Sequence, residues 1–114
     1  SIYDTFGTTE RKQIPSSNIS GVTLSNWNLY NITTKSGEWT ARFNGNSVYT
    51  ITTNTPGWRS SKFILGGTND TSIDLISRGV GFDGFIAEVI ILTSALDPAT
   101  RSKVRSYIST KYGI

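Results

Sequence analysis

Eight carboxylates, Asp4, Glu10, Glu38, Asp70, Asp74, Asp83, Glu88 and Asp97, carry whatever acid–base catalysis this chain could perform, because it contains no histidine and no cysteine. The most conspicuous is Glu88, the single charge inside the nearly solid hydrocarbon stretch Gly84 to Leu96, GFIAEVIILTSAL. Glycoside hydrolysis ordinarily needs two carboxyl groups roughly 5 to 9.5 Å apart. On a strand that separation is met most simply at i and i+2, about 6.6 Å along one face. The residues two away from Glu88 are Ile86 and Ile90, so no such pair exists here. Glu88 therefore reads as structural, accepting hydrogen bonds from a neighbouring loop or pairing with a cation such as Arg101, since a carboxylate buried without a partner is costly.

Five other groups of residues have chemistry to weigh. Asn69, Asp70, Asp74 and Asp83 form the one cluster of oxygen ligands, and calcium is the cofactor they could hold. Their spacing matches no EF-hand, and Asn and Asp are ordinary turn residues, so the expectation is no obligatory cofactor. Trp58 and Arg59 stand beside Pro56 and Gly57. An exposed Trp there offers a flat face to a sugar ring, with Arg59, Asn69 and Asp70 as polar partners; a Trp folded back over the sheet edge is the competing reading. Tyr30, Trp39 and Tyr49 fall at strand positions, where core is expected. Gly79, Gly81 and Gly84 match G-x-G-x-x-G, but dinucleotide binding needs a following helix, and FIAEVIIL reads as strand; a turn is expected instead. The sequons at Asn18, Asn31 and Asn69 are about what chance supplies in a chain this rich in Asn, Ser and Thr.

The elements that must position these residues belong to a short chain. Its 114 residues suffice for one domain with a modest core. Ser and Thr fill 31 positions and Gly 11, against 17% charged residues, a balance that favours β structure. The net charge of +3 resides in residues 97–114, where Arg101, Lys103, Arg105 and Lys111 face Asp97 alone. One basic helix face is ordinarily solvated, so nucleic acid is not an expected partner. No run approaches a membrane span, and no signal peptide is visible. The first residue is Ser rather than Met, which suggests processing or a piece of something longer.

Along the chain, residues 1–26 are loop-rich with one or two short strands, and residues 27–92 hold the main strands. WNLYNITT begins them from Trp27. EWTARFN alternates, with Trp39, Ala41 and Phe43 on one face and Glu38, Thr40 and Arg42 on the other. Asn44-Gly45 then predicts a type I′ turn, because both central residues need positive φ, and a hairpin over residues 38–53. KFILGG and SIDLIS are short strands, and FIAEVIIL, apolar on both faces, reads as a central one. A helix over 97–112 follows, with Asp97 as N-cap, Pro98 at the first position, Gly113 as the stop, and Val104, Tyr107, Ile108 and Tyr112 as its buried stripe.

Residues 82–114 resemble the closing segment of concanavalin A-like jelly-roll domains of laminin-G type. Gly84, Ile86, Ala87, Glu88, Leu96, Arg101, Val104, Tyr107, Ile108, Lys111 and Tyr112 match the family's ending, a G-x-I-A-E strand, a short connection to A-L, and a helix bearing R-x-x-V and Y-[LI]-x-x-K-Y. GEWTARFNGNSV and KFILGG are similar to its earlier turn and strand. The resemblance implies an all-β fold, an antiparallel β-sandwich of jelly-roll type with one C-terminal α-helix. Such domains are longer, so roughly half of the sandwich is absent, and another chain or a longer parent would complete it.

The hydrolase branches carry an acidic E-x-D-x-E strand, which has no counterpart here. The resemblance therefore implies a non-enzymatic structural or adhesion module on a virion surface, such as a bacteriophage capsid decoration, tail or fibre, or in another extracellular assembly. Protein–protein contacts with other chains, and weak binding of cell-surface glycan, are its implied work; a carbohydrate-binding module is the alternative, and a glycan hydrolase the weaker third.

Overall fold

In the computed structural model, residues 1–58, 65–67 and 81–114 are described. The chain divides into two compact units, Ser1–Arg59 with Thr93–Ile114, and Ser60–Leu92.

The first unit contains two small antiparallel sheets and the helix. Strands β1 (Ile2–Asp4) and β2 (Lys12–Ile14) form a ribbon. A 3-10 turn follows at Ser16–Ile19, and then β3 (Tyr30–Lys35), β4 (Glu38–Phe43) and β5 (Asn46–Ile51) form a meander with β4 in the centre. The expected hairpin is β4–β5. Asn44 and Gly45 both adopt positive φ, 51° and 85°, as a type I′ turn demands.

Trp39, Ala41 and Phe43 face the core, where Ile14 and Ile19 pack against them and Ile2, Val22, Tyr30 and Ile32 close the margins. The opposite face of β4 is the first departure from expectation. Thr40 and Arg42 are buried as well. A central strand has neighbours on both edges, and those neighbours here satisfy its polar groups. The Thr40 hydroxyl meets that of Thr50 at 3.2 Å, and Arg42 donates to the Thr33 hydroxyl at 2.8 Å. Burial, reinforced by the charge of Arg101 and opposed by Glu38, lowers the Arg42 pKa, yet a guanidinium keeps its proton.

Side-chain hydrogen bonds pin the end of β1 and the loop after it to the larger sheet. Trp39 Nε1 donates to the Phe6 carbonyl at 3.1 Å, Thr34 Oγ1 to the Gly7 carbonyl at 2.6 Å, and the Tyr30 hydroxyl to Asp4 Oδ2 at 2.9 Å. Burial first, then the charge and hydrogen bond of Asp4, push the Tyr30 pKa far above the ordinary tyrosine range. Above about pH 10, where an unfolded tyrosine ionises, the folded chain keeps a proton that the unfolded chain has lost. Stability from this group is therefore fully present below about pH 9 and falls as pH rises from there. Denaturant unfolding between about pH 8 and 11 should show this decline in the native protein and a shallower one in Tyr30→Phe; equal slopes would refute it.

The helix α1 spans Pro98–Tyr112 with the caps expected of it. Asp97 accepts from the Thr100 amide at 2.8 Å, which together with the Thr100 hydroxyl holds its pKa below the ordinary aspartate value. Gly113 closes the helix in the left-handed region and returns its N–H to the Ser109 carbonyl. The buried stripe differs from the expected one. Ile108 is buried and Val104 and Arg101 are half-buried, whereas Tyr107 and Tyr112 are both exposed, and the Tyr107 hydroxyl accepts from Lys111. The packed row runs along i, i+3 and i+7, and Tyr107 lies to one side of it.

The strand expected at 85–92 is absent. These residues are described and form neither strand nor helix. A strand exists only when a neighbour accepts and donates along its length, and local sequence cannot supply that neighbour. KFIL and SIDLIS fall mostly or wholly outside the described residues. Of the three glycines, Gly79 lies outside the described residues, and no strand follows Gly84, so a turn between two strands is not what the described residues form. Phe82 N–H donates to the Gly66 carbonyl at 2.8 Å, the Phe82 ring lies against Gly66 and Gly84, and no helix follows to receive a pyrophosphate.

Candidate functional site

The groove beside the β4–β5 turn is built by asparagines. In chain order the amides belong to Asn18, Asn26, Asn28, Asn44 and Asn46, five of the eight asparagines in the sequence. Three of them are structural. Asn28 Nδ2 donates to the carbonyls of Thr23 and Asn26, folding residues 23–28 into a tight loop instead of the strand expected from Trp27. Asn44 then ties that loop to the hairpin turn, with Nδ2 donating to Asn28 Oδ1 at 2.8 Å and Oδ1 accepting from the Leu29 amide at 2.9 Å.

Asn18 performs a similar service at the other wall. The β4–β5 register slips after Ala41, pairing Ala41 with Tyr49 but Arg42 with Ser47, so Val48 is the extra residue of a β-bulge. A bulge leaves one residue out of the ladder, and Asn18 Nδ2 donates to the Val48 carbonyl at 2.7 Å.

Within this frame Trp27 stands 57% exposed on the loop. It borders the groove of about 410 Å³ and also an adjoining depression of about 480 Å³ that reaches Tyr112 at the helix C-terminus. No side chain lining either one is charged. Among the described residues, the Trp27 indole N–H and the side-chain amides of Asn26 and Asn46 have no hydrogen-bond partner. At the β4–β5 turn itself the Arg105 guanidinium lies so near Gly45 that a Cβ there would stand 2.7 Å from it; neither residue lines the groove.

The site expected from sequence is only partly described. Trp58 is 65% exposed, yet its ring packs edge-on against Phe6 with centroids 5.4 Å apart, so it is both accessible and anchored. Arg59, Asn69, Asp70 and Asp74 lie outside the described residues. Asp83 is described and exposed, and no group of three or more Asp or Glu side chains that could hold a metal ion occurs among the described residues. Trp39 is core, and Tyr30 and Tyr49 are half-buried at its margin, as expected.

Glu88 is half-exposed, within a run whose apolar members are open to solvent: Phe85 at 86%, with Ile86, Val89, Ile90, Ile91 and Leu92 between 44% and 53%. Paired as a strand, the run would place Ile86 and Ile90 on one face and Phe85, Val89 and Ile91 on the other.

The Trp27 groove was not anticipated from sequence. Its one local signal is Asn26-Trp27-Asn28, an aromatic between two amides, which a strand-biased reading absorbs into the next element. No family model, curated protein or solved structure matches this chain.

Proposed function

We propose that the chain is a non-enzymatic binding module of a larger extracellular or virion assembly, and that its work is contact with another protein chain. The observation that carries this reading is the exposed apolar run Phe85–Leu92. Surface hydrophobics scattered singly are normal, but a contiguous apolar patch in water marks a contact site. Because alternation would place apolar residues on both faces of the run once it pairs as a strand, a flat partner surface would cover only half of them. Insertion beside strands of a partner's sheet covers both and pairs the backbone, the mode known as β-strand addition. The partner is therefore a β-rich chain with an open, apolar sheet edge, which agrees with the resemblance of this segment to a jelly-roll strand and with a sandwich completed from outside. Enzymatic readings lack support in the sequence: there is no imidazole or thiol, and no carboxylate stands two residues from Glu88.

The test is the isolated chain in dilute solution. Expected are strong binding of a hydrophobic dye and concentration-dependent association by light scattering. Ile86→Lys with Ile90→Lys should suppress both several-fold while leaving the thermal transition of the first unit in place. A dispersed, dye-silent monomer would remove the proposal, and so would polysaccharide hydrolysis abolished by Glu88→Gln in a folded protein.

A further inference from the structure

We infer that Arg42 and Arg101 together form a binding site for a doubly charged phosphate group, sharing no residue with the apolar contact run. The site lies on the face of β4 opposite the Trp39 core. Arg42 is only 8% exposed there, although it carries a charge. Its Nη1 donates to the Thr33 hydroxyl at 2.8 Å and to Asn31 Oδ1 at 3.4 Å, both neutral groups of β3. Nε and Nη2 have no hydrogen-bond partner among the described residues, yet they are not sealed from solvent: Asn54 Oδ1 is the one fully buried side-chain polar atom without a partner among those residues. The guanidinium is thus fixed to the sheet by one edge and open along the other. An open edge of this kind takes an oxyanion through two parallel N–H bonds.

Arg101 is brought to the same place by α1. The Arg105 guanidinium lies against the β4–β5 turn at Gly45, and about 6 Å back along the helix axis Arg101 is half-buried in the packed row with Val104 and Ile108. That sets Arg101 beside the end of β4 that carries Arg42. The two charges repel: after burial, Arg101 is the main influence lowering the Arg42 pKa. No carboxylate among the described residues lies within ion-pair distance of either arginine; the ion pairs there are Lys12 with Glu10 and Lys35 with Glu38. The carboxylates whose charge does reach them are engaged elsewhere. Glu38 stands 3.9 Å from Lys35, and Asp97 caps the helix by accepting from the Thr100 amide and hydroxyl. Two like charges, one of them buried, are costly without a counter-charge. A dianion between the guanidinium groups offsets both, whereas a carboxylate or a sulfate ester, with one charge, offsets only one. Guanidinium in place of ammonium suits the same ligand, since its planar fork matches the oxygens of a phosphate.

The experiment is thermal unfolding of the full 114-residue chain at about pH 8, where a phosphate is doubly charged. Inorganic phosphate, phenyl phosphate, phenyl sulfate and acetate are titrated in turn, with sodium chloride as the control at matched ionic strength. Phosphate should raise the melting temperature beyond chloride and saturably, with half of the effect below about 5 mM. Phenyl sulfate, of the same shape but with one charge, and acetate should be at least about tenfold weaker. Arg101→Gln should weaken phosphate about tenfold or more, whereas Lys103→Gln, which removes the same charge from an exposed position outside the packed row, should change it less than about twofold. Arg42→Gln should abolish the effect; if that variant does not fold, Arg101→Gln decides in its place. Phenyl phosphate acting as well as the inorganic ion assigns the site to a phosphate carried on a larger molecule, and action of the inorganic ion alone assigns it to the free ion; either supports the inference. A phosphate effect no greater than that of chloride would overturn it. So would an effect that survives Arg101→Gln, one that Lys103→Gln removes equally, or one that acetate or phenyl sulfate matches.

Discussion

Trp39→Ala is expected to cost about 3–5 kcal/mol, enough to leave the first unit unfolded or barely folded, since a domain of this size has only about 5–15 kcal/mol to lose. Trp39 is fully buried, with 0% of its surface exposed. It touches the Tyr49 ring edge-on at a centroid distance of 6.4 Å, and its indole N–H holds the Phe6 carbonyl at 3.1 Å. The substitution therefore removes both the largest piece of the core and the bond that joins the loop after β1 to β4. The two contributions can be separated. Trp39→Phe keeps most of the apolar bulk but removes the indole N–H bond to the Phe6 carbonyl, and should cost about 0.5–1.5 kcal/mol plus a smaller cavity term. Urea unfolding followed by circular dichroism measures both. A loss under about 1 kcal/mol for Trp39→Ala would mean that this Trp is not the centre of the core.

A second large effect is expected from a single methyl group. Gly7 sits at φ 61°, in the left-handed region, and a Cβ placed on it would overlap Thr34 Cγ2. Thr34 cannot turn aside freely, because its hydroxyl donates to the Gly7 carbonyl at 2.6 Å and accepts from Asn54 Nδ2 at 3.0 Å. Gly7→Ala should thus combine about 1–2 kcal/mol of backbone strain with about 1–3 kcal/mol of overpacking. Thr34→Ser removes the obstructing methyl and keeps the hydroxyl, so the double variant should recover the overpacking part and retain the strain. Gly21→Ala is the contrasting substitution. Nothing lies within 4 Å of its Cβ, and its φ is not positive, so it should be neutral or stabilising by a few tenths of a kcal/mol. Equal melting temperatures for Gly7→Ala and Gly21→Ala would contradict the packing described for Gly7.

How far the sequence could be read depended on whether a feature was settled by its neighbours in the chain. Asn44-Gly45 and the caps Asp97, Pro98 and Gly113 were legible because each rests on φ preferences or on hydrogen bonds spanning three or four residues. The apolar face of β4 was legible for a related reason, since a period of two survives whatever the strand packs against. The polar face was not. Whether Thr40 and Arg42 meet water or a neighbour depends on β4 lying in the middle of the sheet, and Thr33 and Thr50 reach them only through β3 and β5.

The groove shows the same division more sharply. A Trp beside two asparagines looked like the start of a strand, and the bonds that tie it into a loop instead join Asn44 to Asn28 and Leu29, at the end of the β3–β4 pair away from its connection. Composition and local pattern by themselves determined a small β-rich chain with one hairpin of known turn type, one capped helix and no imidazole or thiol chemistry. Only the tertiary structure decided which aromatic side chain is left at the surface with polar groups around it. It places Trp39 in the core and Trp27 above a groove, because exposure depends on what distant segments cover, and the bonds that hold those segments span tens of residues.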